Sequence, residues 1–262
     1  MASEIQQFID NHPVFTGNEF RAALGSDRTE HTLRTQIKYY LDTGRIGQVK
    51  PGLYYRKSPG SGETRPDKYL VGSKIAPDAV LGYHSAFEAL GYAHSVSSRI
   101  YVLTEFRRRP FSFQDVDYSP VAFPTFQDET ANTRFGLTRV ERAGEKITVT
   151  GKERSLVDGL DRPEYMGGYE EMRRCIEKIP YLDSDILTKY LQHRNKKILY
   201  AKVGFLLEQF QEEWFVDEAM LTKLESHTPQ SPAYFGGERT GTMINRWNLI
   251  VPDNLLQDDE TS

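Results

Sequence analysis

The chain has 262 residues, of which 38% are hydrophobic and 12% aromatic, and a net charge of −4. This length favours two domains, and the composition provides enough apolar side chains for a sizeable core. The longest apolar stretches, such as residues 198–207, fall short of the ~20 residues that span a bilayer. The single cysteine, Cys175, excludes a disulfide framework. Because the N-terminus lacks a secretory signal pattern, we expect a cytoplasmic protein.

The first predicted helix pair lies within residues 15–57. Thr16 and Glu19 have the spacing of a capping box, in which each side chain accepts a hydrogen bond from the other residue's backbone. Gly25 is suited to a left-handed helix end. An upstream helix around Ile5 is expected to complete a small core.

Thr29 is the predicted N-cap of the second helix, which runs to Thr43. Its apolar side chains recur at helical spacing on one face: Leu33, Ile37, Tyr40 and Leu41. The opposite face carries polar and basic side chains: Glu30, His31, Arg34, Thr35 and Lys38. A hairpin follows with a tight turn at Gly52, and Gly47 indicates a bulge in its first strand. This order predicts a winged helix-turn-helix, whose second helix enters the major groove of DNA.

Positive charge is concentrated in the same segment. Residues 26–57 hold seven Lys or Arg against three acids, a net charge of +4, so the rest of the chain carries −8. Because a basic island on an acidic chain favours a polyanionic partner, we expect double-stranded DNA to bind here. The alternatives are an ordinary solvated helix face and a helix-turn-helix that docks a protein.

The predicted DNA-binding residues divide by chemistry. Base contacts are expected from Arg34, His31 and Thr35, since Arg pairs with guanine and Thr contacts the thymine methyl group. The predicted phosphate contacts are Lys38, Arg45, Lys50, Arg56 and Lys57. Arg28 and Thr29, at the start of the helix, complete the set. Arg107, Arg108 and Arg109 are interpreted as a solvated loop, with a second phosphate contact or an acidic protein partner as the alternative.

A domain boundary is expected after the hairpin. Residues 58–68, rich in Gly, Ser and Pro, are the predicted linker between a winged helix-turn-helix domain at residues 1–57 and a larger domain at residues 69–256. Residues 257–262 form an acidic tail that we expect to be disordered. In the larger domain strand patterns come first and helix patterns later, which favours the α+β class.

The elements of the larger domain follow from periodicity and capping. The predicted strands cover residues 99–104, 111–113, 121–123 and 147–149. The predicted helices cover residues 67–74, 78–90, 168–178, 183–193, 197–210 and 217–226. A second capping box, formed by Thr150 and Glu153, is expected to begin one more helix.

No catalytic residue, metal ligand or cofactor is predicted. The six histidines show no metal-ligand spacing with one another or with neighbouring cysteine or carboxylate side chains. His84 is interpreted as a neutral core histidine, and Arg154 with Asp158 as a helix ion pair. Glu145, beside Lys146 and a strand, is a weak candidate for a nuclease centre. We therefore expect no enzyme activity.

Several motifs occur together in one known family. They are Phe15-Thr-Gly-Asn-Glu-Phe20, Gly52-Leu-Tyr54, Tyr83-His-Ser-Ala86, Glu153-Arg-Ser-Leu-Val-Asp158 and Trp247-Asn-Leu-Ile-Val-Pro252. Through them nearly the whole chain resembles the AbiEi family of antitoxins, from bacterial abortive-infection toxin–antitoxin systems. The resemblance implies a transcriptional autorepressor that binds inverted repeats in its own promoter and counters a co-encoded toxin similar to a nucleotidyltransferase. Two alternatives are a winged-helix regulator without a toxin partner and a nucleic-acid-processing enzyme targeted by a winged helix.

Overall fold

The computed structural model describes residues 4–25, 29–58, 64–126, 132–237 and 239–256. Within these ranges the protein mixes helices with several sheets, which confirms the predicted α+β class. Contacts between Cα atoms group the chain into two compact units. Unit 1 comprises residues 1–81, 97–122 and 139–149, and unit 2 comprises residues 82–96, 123–138 and 150–262.

These units divide the chain differently from the predicted boundary at residues 58–68. Residues just beyond the predicted linker belong to the same unit as the N-terminal helices. Lys74 supplies one reason, because its ammonium lies 2.9 Å from a carboxylate oxygen of Glu19 and 2.7 Å from one of Glu145. Whether residues 1–57 fold as a separate domain stays a prediction. The predicted tail at residues 257–262 lies outside the described residues.

The N-terminal part of unit 1 combines helices with a small sheet. Its described elements are α1 (Glu4–Asn11), β1 (Val14–Thr16), α2 (Gly17–Leu24), α3 (Glu30–Asp42), β2 (Ile46–Lys50) and β3 (Leu53–Arg56). Strand β3 pairs antiparallel with both β1 and β2, so the sheet has the order β1-β3-β2. The helices and sheet enclose one apolar core: Ile9, Phe15, Phe20, Leu33, Ile37, Tyr40, Ile46 and Tyr54.

Helix α2 begins as the sequence predicts and ends differently. The Thr16 hydroxyl accepts a hydrogen bond from the Glu19 amide at 3.2 Å, and the Glu19 carboxylate accepts one from the Thr16 amide at 2.6 Å. The predicted capping box is therefore confirmed. Gly25 has a φ of 98° but a ψ of 138°, so the predicted left-handed stop is wrong.

The hairpin contains a bulge, but not at the predicted position. The register of β2 against β3 shifts between Gln48 and Lys50, whereas Gly47 pairs regularly with Tyr55. A Cβ atom at Gly47 would lie 2.2 Å from the ring of Tyr55, so glycine is needed there because the ring crosses the strand. Gly52 has a φ of 83° and supplies the predicted tight turn.

A second sheet follows in the chain. The next described elements are α4 (Lys68–Ser73), β4 (Val80–Leu81), α5 (Tyr83–Leu90), β5 (Arg99–Leu103), β6 (Phe111–Phe113), β7 (Val116–Val121), β8 (Leu137–Arg142) and β9 (Glu145–Thr150). Among the described strands, six form a sheet of order β6-β7-β5-β4-β9-β8. It is mixed, since β5 pairs parallel with β7 and antiparallel with β4, and β4 pairs parallel with β9.

Helices dominate the remaining chain. The described helices are α6 (Lys152–Asp161), α7 (Tyr169–Ile176), α8 (Ser184–Arg194), α9 (Lys197–Gln209) and α10 (Glu218–Glu225). Three short strands then form a sheet of order β10-β12-β11: β10 (Ala233–Tyr234), β11 (Thr242–Ile244) and β12 (Leu249–Val251). In the part of the chain that the structure describes, no helix has the length and apolar character needed to cross a membrane.

Two predicted elements near the second sheet are wrong. Residues 78–90 do not form one helix, because Val80 and Leu81 are buried as strand β4 between β5 and β9. The helix begins only at Tyr83, whose φ of 55° marks the sharp turn out of the strand. The strand predicted at residues 121–123 ends at Val121 and lies mostly upstream, where it pairs with β5.

The second predicted capping box is also wrong. Helix α6 has Gly151 as its N-cap and no side-chain cap. The Thr150 hydroxyl instead bonds the Ser155 hydroxyl at 2.6 Å, and the Glu153 carboxylate accepts a hydrogen bond from the Asp183 amide at 2.9 Å. A residue spacing alone cannot distinguish a cap from contacts made by the same side chains elsewhere in the fold.

Candidate functional site

The outward face of α3 is fixed by burial of its other face. Thr29 caps the helix as predicted, with its hydroxyl accepting a hydrogen bond from the Thr32 amide at 3.2 Å. The buried side chains include three of the predicted stripe: Leu33, Ile37 and Tyr40. The side chains predicted to face DNA are all solvent-exposed: Glu30, His31, Arg34, Thr35 and Lys38. Arg28, predicted just before the cap, lies outside the described residues.

The predicted base contacts lie together on this face. The side chain of Arg34 is 79% exposed, and its Nε lies 3.4 Å from a carboxylate oxygen of Glu30. Such an exposed pair contributes only ~0.3–0.5 kcal/mol, so the guanidinium can leave Glu30 for a stronger acceptor. The Thr35 hydroxyl donates to the His31 carbonyl at 2.9 Å. Its methyl group and its acceptor oxygen remain for contacts outside the helix.

Two predicted phosphate contacts are held against α1. The guanidinium of Arg45 donates to the side-chain oxygen of Gln6, and that of Arg56 donates to the backbone oxygen of Asp10. Both are surface hydrogen bonds, which leave other guanidinium N–H groups for a further acceptor. Lys38 and Lys57 are exposed. The structure thus places these four cations on the surface around α3 and the hairpin.

Lys50 has a more enclosed position than the sequence suggests. Its ammonium lies 4.2 Å from the centre of the Phe111 ring, and the side chain is half-buried. Burial, together with the neighbouring positive charge of Arg108, lowers the pKa of Lys50. The fold therefore brings the hairpin cation beside the second predicted basic group, whereas the sequence treats them separately. Arg107 and Arg109 are exposed in the same loop.

Lys50 and Arg108 line an open cleft of about 550 Å³ within unit 1. Lys74 also lines it, but Glu19 and Glu145 neutralise that ammonium. The cleft therefore has a surplus of positive charge near the hairpin turn. Glu145, the carboxylate considered for nuclease chemistry, has an ion-pair partner here and a side chain only 19% exposed.

In unit 2 the fold assembles a polar cluster that sequence spacing missed. Helix α5 carries His84, and helix α7 carries Glu171 and Cys175. One carboxylate oxygen of Glu171 lies 3.0 Å from Nε2 of His84 and 3.5 Å from Sγ of Cys175. His84 is buried as predicted, but beside ionisable groups. The prediction that no histidine has a carboxylate at ligand spacing is wrong, because His84 and Glu88 are four residues apart, as are Glu171 and Cys175. These two i,i+4 pairs are the signal that the sequence contained.

The carboxylate of Glu171 is held in its charged form. Burial would raise its pKa, but hydrogen bonds from His84 and from the backbone of Ser95 bring the pKa to about 2. For the Cys175 thiol, burial outweighs the hydrogen bond from the His94 amide and raises the pKa to about 12. In this protonation state the thiol donates a hydrogen bond to Glu171.

Helices α6 and α8 bury a second charged cluster. The predicted ion pair between Arg154 and Asp158 is present, with Nε and Oδ2 3.4 Å apart, but both side chains are buried. The other oxygen of Asp158 accepts hydrogen bonds from the Tyr190 hydroxyl, at 2.7 Å, and from the Arg194 guanidinium. Burial alone would lower the pKa of Arg194, but the Asp158 carboxylate raises it above its usual value. This arrangement is typical of a structural network.

Comparisons with known proteins bear on the fold. No family model matches the chain, and no curated protein matches it. Among solved structures, it is similar to the crystal structure of the Rv2827c protein from Mycobacterium tuberculosis, with a TM-score of 0.62 and 15% sequence identity. The match covers 94% of this chain and 89% of the mycobacterial chain. At this identity the likeness establishes a shared fold and nothing about activity.

Proposed function

We propose that the protein binds double-stranded DNA through α3 and the β2–β3 hairpin, in the manner of a winged helix-turn-helix. The observation that carries the proposal is the division of α3 into a buried apolar face and an exposed polar face. The exposed face presents Arg34, Lys38 and Thr35 to a partner. Helix α2 precedes it and the hairpin follows it, in the order that such domains have, and Lys38, Arg45 and Lys57 are exposed in this segment.

The proposed biological role is that of an AbiEi-type antitoxin and transcriptional autorepressor, acting in the cytoplasm. The motifs described above support it. In this role the protein binds an operator with inverted repeats and counters a co-encoded, nucleotidyltransferase-like toxin. The basic residues around α3 serve the repressor activity, and antitoxin action is assigned to the C-terminal part of the chain.

DNA binding is tested with the full-length protein and a duplex from upstream of its own reading frame. A shuffled duplex of the same composition is the control DNA, and fluorescence anisotropy gives the dissociation constants. Arg34→Ala is expected to weaken operator binding about 5- to 150-fold and to relax preference at one base position, because a bidentate base contact is lost. Lys57→Ala is expected to weaken binding to both duplexes alike and to reduce the salt slope by about one.

Arg174→Ala is the matched control for Arg34→Ala. Arg174 also pairs with a glutamate four residues away, Glu170, on an exposed helix face, and its side chain is 50% exposed. It lies in unit 2 and is expected to leave DNA binding unchanged. Equal dissociation constants for the two variants, or no preference of the wild type for the operator, would rule out α3 as the recognition helix.

Antitoxin action is tested by co-expression with the adjacent reading frame, with bacterial growth as the measurement. Wild-type protein is expected to restore growth when the neighbouring gene product is toxic. The Arg34→Ala, Lys38→Ala double variant is expected to restore it equally well from a heterologous promoter, since antitoxin action is assigned elsewhere. Failure of the wild type to rescue growth would contradict the antitoxin role and favour a stand-alone regulator.

The enzyme alternative has its own test. Incubation of the full-length protein with labelled DNA or RNA and a divalent cation should leave the nucleic acid intact. Cleavage that disappears in Glu145→Ala would favour a nucleic-acid-processing enzyme and overturn the proposed role.

A further inference from the structure

Three potential metal ligands lie close together in unit 2, and the proposed function assigns them no role. They are Nε2 of His84, Oε1 of Glu171 and Sγ of Cys175, and all three atoms lie within 4.8 Å of one another. Zinc binds nitrogen, oxygen and thiolate ligands at about 2.0–2.3 Å, which places tetrahedral ligand atoms about 3.3–3.6 Å apart. The separations of 3.0 Å and 3.5 Å from Glu171 to the other two ligands are close to that range.

The other side of the imidazole also fits a metal ligand. Among the described residues, Nδ1 of His84 is buried without a hydrogen-bond partner, and a carboxylate oxygen of Glu88 lies 3.5 Å from it. A histidine that coordinates a metal through Nε2 carries its proton on Nδ1, and a carboxylate commonly accepts that proton in a hydrogen bond. Metal binding at Nε2 would therefore give Nδ1 a donor role that Glu88 is placed to accept.

Backbone amides support the two ligands that would be anionic. The His94 amide donates to the sulfur of Cys175 at 3.4 Å, and the Ser95 amide donates to Glu171 at 2.9 Å. Such N–H groups stabilise negative charge on a thiolate or a carboxylate. The loop after α5 therefore presents donors to both ligands on α7.

We propose that His84, Glu171 and Cys175 bind a zinc ion that joins α5 to α7. The set of one imidazole, one carboxylate and one thiolate suits Zn²⁺, whereas Mg²⁺ and Ca²⁺ select oxygen ligands. Binding replaces the thiol proton of Cys175, which leaves to solvent, and the imidazole proton of His84 moves from Nε2 to Nδ1. The hydrogen bonds from these two groups to Glu171 are then exchanged for bonds from all three ligands to the metal.

The location indicates a structural role. His84 and Cys175 are buried, and the side chain of Glu171 is 16% exposed. The ion would hold two helices of unit 2, α5 and α7, together. Zinc at such a site contributes directly to the free energy of folding.

The single cysteine of the chain makes a direct test possible. The protein is freed of metal with a chelator and titrated with Co²⁺, which binds at zinc sites. A cobalt ion bound by a thiolate gives a sulfur-to-cobalt charge-transfer band in the near ultraviolet. The expected result is a band that saturates at one cobalt per chain and disappears on addition of Zn²⁺. Only Cys175 can produce this band.

Variants then identify the remaining ligands. His84→Asn and Glu171→Gln are expected to lose the band, and Glu88→Gln to lower cobalt affinity about 10- to 100-fold. Glu170→Gln is the matched control, because Glu170 neighbours Glu171 on α7 but pairs with Arg174 at the surface. Zn²⁺ is expected to raise the melting temperature of the wild type and not that of Glu171→Gln.

Two outcomes overturn the proposal. One is the absence of a charge-transfer band in folded wild-type protein at saturating Co²⁺, which would show that the cluster is only a hydrogen-bond network. The other is an unchanged band in Glu171→Gln and His84→Asn. The wild-type titration decides the matter even if a variant fails to fold.

Discussion

Asp158 shows how a single buried carboxylate can hold two elements together. It lies between the guanidiniums of Arg154 and Arg194, and Tyr190 donates a hydrogen bond to it. Arg154 also donates to two backbone oxygens, those of Thr133 and Phe135, at 2.8 Å each. The carboxylate thus offsets buried positive charge that α6 and α8 bring to the same place. Removing it leaves Arg154 without its carboxylate partner, whereas Arg194 keeps an ion pair with Asp161.

We expect Asp158→Ala to lower the free energy of unfolding by about 3–5 kcal/mol, the typical cost of breaking a buried ion pair on one side. The control is Glu170→Ala, which breaks an exposed i,i+4 pair on α7. Glu170→Ala should lower the free energy of unfolding by no more than about 0.5 kcal/mol, because solvent screens such a pair. Chemical denaturation of both variants measures the difference. Equal losses would contradict the assignment of Asp158 to a buried network.

At the scale of elements, local signals predicted the helices well. Helix α3 follows from a cap at Thr29 and an apolar stripe, and α8 and α10 lie where their patterns predict them. A helix cap and an apolar stripe both lie within about a dozen consecutive residues, so they can be recognised without knowing how the rest of the chain folds. The exposed face of α3 was predictable for the same reason.

Strands depend on partners that are distant in sequence, and here prediction failed. Strand β4 is two residues long, and the sequence before α5 resembles a helix start. Only its pairing with β5 and β9 makes it a strand. Strand β8, which was not predicted, is flanked by a polar sequence, and half of its side chains are exposed and half are partly buried. Alternation is weak in such a strand.

The two candidate sites differ in the same respect, since one depends on local sequence and the other on contacts between distant segments. The predicted base contacts on α3 come from one helix, so their common face follows from helical periodicity. The ligands of the proposed zinc site come from α5 and α7, and 87 residues separate His84 from Glu171. A search for spacing within one segment cannot find such a set. The wrong second capping box, where Glu153 contacts Asp183 instead, has the same cause.

At the scale of the whole molecule, acidic side chains with lowered pKa values occur in both units. For Glu19 in unit 1 and Asp161 in unit 2, burial would raise the pKa, but hydrogen bonds and nearby lysine or arginine charges lower it. Glu171 has a pKa of about 2. Each of these groups is more acidic in the folded protein than in the unfolded chain. Their contribution to stability is complete above their unfolded pKa values, near 4, and is lost as they protonate in the folded state.

We therefore expect the metal-free protein to lose stability progressively as the pH falls from about 4.5 towards 2. Thermal unfolding in the presence of a chelator, followed by circular dichroism across that range, measures the loss. Glu171→Gln should be less stable than the wild type at neutral pH and should show a shallower decline in acid. A decline as steep as that of the wild type would show that Glu171 does not contribute to the acid transition.

The ring of Tyr55 across Gly47 has a consequence for how this sequence can change. The two positions face each other in the β2–β3 hairpin, and the ring also meets Phe113 of β6 with centroids 5.6 Å apart. A methyl group at position 47 would overlap the ring, so position 47 must be glycine while Tyr55 occupies the facing position. A larger residue fits at position 47 only if Tyr55 is first replaced by a residue without a ring. That replacement also removes the contact between Tyr55 and Phe113 of β6. Substitution at this small glycine is thus constrained by an aromatic residue on another strand.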